Sequence, residues 1–259
     1  MKLNMISFSQ QQDERRDPIS RLQRKAFLMC LVIATLFMIS TGCKKFAGLS
    51  LQTDATHSPY LLNPDLNMTA WQYLKYRSGV DTTNPAWRTD TVFRLMYKAV
   101  LYSGIDTNEY TKPNRTFIFL HNLAIQTFNA TVPVTVSNTC YWGYYLVGPS
   151  LVPATSWTQY TPAQVKAWLQ YLIVDGEYNF NNLNPNAVTV NTLLPQNTDT
   201  LNPQSIMVLA RNDDPSSGSI TINNFVGSFD YTTVRTGGYV STNGPIQVVG
   251  NLVIFKRTQ

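Results

Sequence analysis

Apolar residues at Val92, Phe93, Met96, Ala99 and Val100 recur at i, i+1, i+4, i+7 and i+8, which is the spacing of one helical face. They predict a helix over TDTVFRLMYKAVLYSG, residues 89 to 104, with Thr89 placed to cap its start and Gly104 its end. A second helix is predicted where Val165, Trp168, Leu169 and Leu172 fall at i, i+3, i+4 and i+7 behind Thr161-Pro162-Ala163-Gln164. That tetrapeptide is a capping box with proline at the first helical position. A shorter helix start is marked by Thr69 with Gln72, followed by Trp71, Leu74 and Val80. Between the two long helices RTFIFL, Arg115 to Leu120, reads as a buried strand. Beyond Asp175-Gly176 the pattern turns strand-like, with ITINNFV (220 to 226), YTTVRTGGYVST (231 to 242) and IQVVGNLVIF (246 to 255) divided by Asn, Gly and Pro turns. Helices precede strands, so the expected class is α+β and not an alternating parallel sheet. No internal repeat and no domain linker follow residue 69.

The apolar block nearest the N-terminus has another character. AFLMCLVIATLFMI, Ala26 to Ile39, follows the basic residues Arg21, Arg24 and Lys25 and is shorter than the roughly 20 residues that span a bilayer as a helix. This is the layout of a signal peptide. Ser40-Thr41-Gly42-Cys43 then resembles the lipobox of bacterial lipoproteins, in which small residues precede a cysteine that is lipidated and becomes the new N-terminus. Ser40 stands where that family usually has leucine. The resemblance implies a signal peptide over 1–42, lipidation at Cys43, and a lipid-anchored tether over 43–68. The tether, FAGLSLQTDATHSPYLLNPDLN, lacks periodicity and carries turn formers. Each lipid chain contributes about 0.8 kcal/mol per buried CH₂, so two or three hold a protein on a membrane. The expected location is the bacterial cell envelope, lipid-anchored, at the outer membrane.

This division changes how charge and cysteine are read. The whole chain carries 20 basic and 15 acidic residues, a net of +5. Residues 1–42 hold six of the former and three of the latter, so the remainder has 14 against 12, a net of +2. Its lysines and arginines are scattered, with no run longer than Lys44-Lys45, and nucleic acid is not an expected partner. Charged residues make up only 14% of the chain, so the polar surface is supplied by Asn, Thr, Ser and Gln. Cys30 leaves with the signal and Cys43 takes the lipid, which leaves Cys140 alone in the mature chain without an intramolecular disulfide. At 44% hydrophobic residues the domain is expected to be held by its core.

From residue 69 on, the order of elements resembles a fasciclin domain. The family's first box ends a strand in a Thr-Phe-Ala-Pro-Thr-Asn-Glu-Ala-Phe-like sequence; Thr116, Phe119, Asn122 and Ala124 hold matching places, with Leu120-His121 replacing Pro-Thr. The second box has a Tyr-His pair, an apolar pair and a Pro-Gly turn. Tyr171, Ile173, Val174 and Gly176 match it, while Leu172 stands for histidine and Asp175 for proline. The family closes with an Asn-Gly turn into an alternating strand, as in Thr242-Asn243-Gly244 leading to Ile246, Val248 and Leu252-Val253-Ile254. The resemblance implies a β-sandwich wedge with helices packed along it, over 69–259 with an insertion near 129–160. It also implies a non-catalytic adhesion or interaction module, with Tyr171 at a position linked in some members with partner binding. Asn-Gly is expected to supply the positive-φ positions of a tight turn.

Candidate chemistry beside this is sparse. Once the signal is removed the histidines are His57 and His121, and Cys140 has no basic neighbour in sequence to activate it. No HExxH, CxxC, phosphate loop or EF-hand spacing occurs, and no metal or cofactor is implied. Asp175 with Glu177 and Asp213 with Asp214 are the carboxylate pairs that would serve a hydrolase, the least favoured alternative. In the insertion, YWGYYLVGPSLVPATSWTQY places Trp142, Tyr144, Trp157 and Tyr160 where aromatic platforms would stack on sugar rings. The competing reading is a hairpin whose alternating aromatics cover core. The expected partners are the membrane through Cys43 and an envelope or extracellular protein, or a polysaccharide in the manner of an uptake lipoprotein.

Overall fold

A computed structural model describes residues 29, 65–80, 90–212, 219–225 and 230–254. Contacts divide the chain into Met1–Leu62 and Asn63–Gln259, and the helices and strands from Ala70 onward belong to the second unit. Cys43, His57, Thr89 and Asp213-Asp214 lie outside the described residues, as do the signal peptide apart from Met29 and the tether up to residue 64.

Both capping boxes form as the sequence predicts. Helix α1 (Ala70–Tyr76) starts where Thr69 Oγ1 accepts the Gln72 N–H at 3.2 Å while Gln72 Oε1 accepts the Thr69 N–H at 2.8 Å. The helix predicted from residue 89 is α2, Arg94–Ser103. Its buried face is the predicted one, Met96, Ala99 and Val100 behind Phe93, and Gly104 ends it in the left-handed region at φ 61°. Phe93, at the N-cap, has no side-chain acceptor to offer. That acceptor comes from the far side of β1 (Arg115–Leu120): Asn122 Oδ1 receives the Leu95 N–H at 3.0 Å, and Asn122 Nδ2 donates to Thr91 O at 2.6 Å. Asn122 itself opens the one-turn helix α3 (Asn122–Ile125), which precedes another short helix, α4 (Tyr141–Tyr144). A 3₁₀ turn at Trp157–Gln159 leads into α5 (Pro162–Tyr171), capped by Thr161 and Gln164 as predicted.

Six further strands complete the sheet: β2 (Ile173–Asp175), β3 (Val188–Asn191), β4 (Ile206–Asn212), β5 (Ser219–Ile222), β6 (Thr232–Ser241) and β7 (Gly244–Val249). They form one mixed sheet in the order β2-β1-β7-β6-β5-β4-β3, with β1 and β7 parallel and the other pairs antiparallel. Strand β6 turns the sheet. Its first residues pair with β5, the rest pair with β7, and register shifts interrupt that ladder between Val234 and Tyr239. The two ends of the strand order nearly meet, because Val174 bridges Thr192 and the Leu193 N–H donates to Ile173 O at 2.8 Å. The α+β class therefore holds, as a sheet-rich domain with a few helices.

The central strands explain their own sequence. All of β7 and five of six residues of β1 are buried, as expected for strands covered on both faces, and Tyr73, Phe93, Tyr110, Phe117 and Phe119 pack there ring on ring. The chain joins the sheet at Asp65, which pairs with Val240, ahead of the expected domain start at residue 69.

The β6–β7 turn departs from the Asn-Gly expectation. Its two loop residues are Thr242 and Asn243, of which neither has positive φ, whereas Gly244 has φ 141° as the first residue of β7. A Cβ on Gly244 would lie 1.8 Å from Arg115 O, so glycine is required here by the close approach of β1. Asn243 is kept for its amide: Oδ1 accepts the Ala70 N–H at 2.9 Å, and Nδ2 donates to Tyr110 O and Lys112 O at 3.1 and 3.0 Å. The turn thus fastens the start of α1 and the approach to β1 with one side chain.

Candidate functional site

The aromatic residues singled out in the insertion occupy two different environments. Trp142, Trp157 and Tyr160 are 3%, 4% and 6% exposed, and Tyr171 is 1% exposed, so their ring faces lie in the core and are not open to a sugar. Tyr144 alone among the five is half-buried and reaches the surface. The reason is the local fold. Residues two apart share a face in a hairpin strand, but in the helical turn α4 they stand about 200° apart around the axis, so Trp142 points inward when Tyr144 points out. Trp142, Trp157 and Tyr160 thus cover core, through a helix and a 3₁₀ turn instead of the hairpin expected, and Tyr144 does not. Trp157 and Trp142 pack edge to face at 5.8 Å, and the Trp157 Nε1–H donates to Leu95 O at 2.8 Å. Tyr171 donates from its hydroxyl to Ile206 O at 3.1 Å and accepts from Asn223 Nδ2 at 3.0 Å. Leu172, which the fasciclin resemblance sets against a histidine, is equally buried.

Around Tyr144 the insertion and the start of α5 enclose an open groove of about 600 Å³. The half-buried Tyr144 and Tyr145 supply its aromatic wall, backed by the buried rings of Tyr160 and Trp168, and Gln159 and Gln164 supply its amides. Tyr145 stacks on Trp168 at 4.6 Å, Tyr144 meets Tyr145 edge to face at 4.9 Å, and Tyr160 meets Trp168 the same way at 4.9 Å. The Tyr160 hydroxyl donates to Tyr145 O at 2.6 Å, which ties the two walls together. Exposed Leu146 and Leu151 form the rim.

The two glutamines arise from the capping pattern. Gln159 and Gln164 are each the third residue of a box, and both use Oε1 to accept backbone N–H groups: Gln159 from Thr155 and Ser156 at 2.7 and 3.1 Å, Gln164 from Thr161 at 2.9 Å. An amide held by its oxygen in this way keeps both Nε2 hydrogens to donate elsewhere. Burial pushes the Tyr145 and Tyr160 phenols well above their ordinary value, so they stay neutral hydroxyls. Among the described residues no Lys, Arg, Asp, Glu or His lines this groove. It is a surface of rings and neutral hydrogen-bonding groups.

His121 and Cys140 hold structural positions. His121 Nδ1 accepts the Leu123 N–H at 3.1 Å as the N-cap of α3. The Cys140 thiol is buried and donates to Ser137 O at 3.1 Å. Asp175 ends β2 opposite Arg115, and it and Glu177 are exposed. Among the described residues no helix is long and apolar enough to cross a membrane.

Sequence reasoning missed Tyr145, Gln159, Trp168 and the groove role of Gln164. A signal existed in the tandem boxes Ser156-x-x-Gln159 and Thr161-x-x-Gln164, which orient two glutamine side chains back along adjacent turns.

No protein-family model matches the sequence, and no curated protein does. Among solved structures the chain is similar to a FAS1 domain pair from the insect cell adhesion molecule fasciclin I, at 14% identity and a TM-score of 0.41. The match covers 65% of this chain and 46% of that one, so the chain spans under half the length of the domain pair.

Proposed function

We propose that this chain is an exported bacterial lipoprotein, anchored through Cys43 at the outer membrane, whose fasciclin-like domain binds a neutral glycan without catalysis. One observation carries the ligand class: the groove beside Tyr144 combines aromatic rings with the donor amides of Gln159 and Gln164 and, among the described residues, has no ionisable lining beyond its phenols. Sugars present apolar C–H faces and many hydroxyls, and such a surface meets both without the desolvation of a charge. The anchor rests on the basic, apolar and small-residue order that ends in Cys43, and the family on the three boxes in Thr116–Ala124, Tyr171–Gly176 and Thr242–Ile254. The deciding measurement is a titration of neutral plant and host polysaccharides against wild type and Tyr144→Ala. Binding that weakens in the variant is expected, and failure of the wild type to bind any of them overturns the ligand class. A Cys43→Ala chain that still fractionates with membranes overturns the anchor.

A second reading, adhesion to an envelope or extracellular protein, is favoured by a different observation. Phe128, Val132 and Val134 are exposed together in one short segment, and Thr116 to Val165 contains no Lys, Arg, Asp or Glu. Chemical crosslinking on whole cells, with Val132→Lys as the control, distinguishes it.

A further inference from the structure

Tyr144 also lines a second depression. This one holds about 240 Å³ and is formed by Asn138, Thr139, Asp230, Tyr231 and Asn251 together with Tyr144. Three separate segments meet there, and backbone and hydroxyl bonds hold them: the Leu252 N–H donates to Thr139 O at 2.8 Å, and Thr232 Oγ1 donates to Leu252 O at 2.5 Å. The depression is therefore built by the fold and not by one loose loop. At 240 Å³ it is smaller than the roughly 300 Å³ at which small-molecule sites begin. By itself it is too small for a ligand of that size, and as an extension of the 600 Å³ groove it is not.

We infer that the two depressions are consecutive subsites for one linear glycan, which passes over Tyr144 as the shared ridge. The inference rests on the glycan reading given above and adds that the ligand is a chain longer than either depression alone receives. Their chemistry is complementary. The first subsite offers rings and amide donors, whereas the second offers the carboxyl group of Asp230, which accepts hydrogen bonds from adjacent hydroxyls, and the amides of Asn138 and Asn251, which both donate and accept. Tyr231 is 52% exposed and supplies a ring for the outer sugar unit, as Tyr145 does for the inner one. A chain fastened at the first subsite presents its next units to the second at high effective concentration, so affinity rises with length and then levels off.

The test is calorimetric titration of the purified domain-bearing chain with cello-, xylo- and manno-oligosaccharide ladders from disaccharide to octasaccharide. In the wild type a series that binds is expected to gain about tenfold in affinity between its short and long members. Tyr231→Ala and Asp230→Ala, both at exposed positions in the second depression, are expected to remove that gain and to leave unchanged the binding of short members, which the first subsite alone receives. Affinity that is independent of length, or a gain that survives both variants, overturns the two-subsite inference while the glycan reading stands. A wild type that binds no member of any ladder and no polysaccharide overturns both.

Discussion

The side-chain oxygen of Asn122 accepts the backbone N–H of Leu95 at 3.0 Å, across 27 residues of sequence. A helix whose own N-cap is phenylalanine is thereby capped from the end of the neighbouring strand, and the Asn122 N–H also donates to Val92 O at 2.9 Å. Helix α2 and strand β1 are joined by hydrogen bonds as well as by the packing of Met96 and Phe119 into the core.

Removing that joint should destabilise the domain measurably. Asn122→Ala loses the cap and the Nδ2 bond to Thr91 O, and about 2 kcal/mol is expected from the two together. In a domain of this size that lowers the melting temperature by roughly 4–8 °C. Urea unfolding of wild type and variant checks it, and an unchanged midpoint would show that the start of α2 contributes nothing to stability.

Gly244 and Gly238 provide a paired comparison. An alanine at Gly244 would bring its Cβ to 1.8 Å from Arg115 O, so β1 and β7 cannot keep their spacing and a loss of about 4 kcal/mol or more is expected. Gly238 also has positive φ, 89°, but open space where the Cβ would go, and its alanine variant should lose only about 1 kcal/mol of backbone strain. Equal effects of the two would contradict the close approach of β1 to the turn.

Trp157 and Tyr144 separate packing from binding. Trp157→Ala empties a buried site beside Trp142 and Trp168 and should cost about 3–5 kcal/mol of stability. Tyr144→Ala, at a half-buried position, should leave the fold largely intact while weakening glycan affinity. Thermal melts and titrations on the same two proteins suffice. A Trp157→Ala chain that melts like wild type and loses affinity would return that ring to the binding surface.

His121 makes stability depend on pH in one direction. Desolvation by burial, assisted by Arg235 and Arg77, holds its imidazole below the ordinary value of 6.5, so the unfolded chain binds the proton more readily than the folded one. The contribution is complete above 6.5 and is lost as pH falls through the lowered folded value, because protonated Nδ1 cannot accept the Leu123 N–H. His121→Asn keeps an N-cap acceptor and has no proton to take up. Denaturation midpoints across this range should fall with acid in the wild type and fall less in the variant.

What was legible in the sequence is what local chemistry decides. The boxes at Thr69 and Thr161, the αL glycine at Gly104 and the buried run of β1 all formed where the residues indicated, because each needs only neighbours within a turn or strand. The start of α2 was not legible, since its cap comes from Asn122 and no local pattern announces that partner. The same holds for Asn243, which reads as a turn residue and acts as a buried clasp. In the insertion, α4 is a single turn, too short for periodicity to distinguish it from a hairpin strand, and that ambiguity of period put Trp142 and Tyr144 on one face. Tyr231 and Asp230 share a depression with Tyr144 only through the meeting of three distant segments.

The near meeting of β2 and β3 also narrows one route by which a second copy could pair with this sheet. Where Val174 bridges Thr192 and the Leu193 N–H donates to Ile173 O, backbone groups of β2 that could template strand pairing with a second chain are already used. Val174 and Leu193 thus act as a seal. Two copies that approach at this point meet side chains and an already paired backbone.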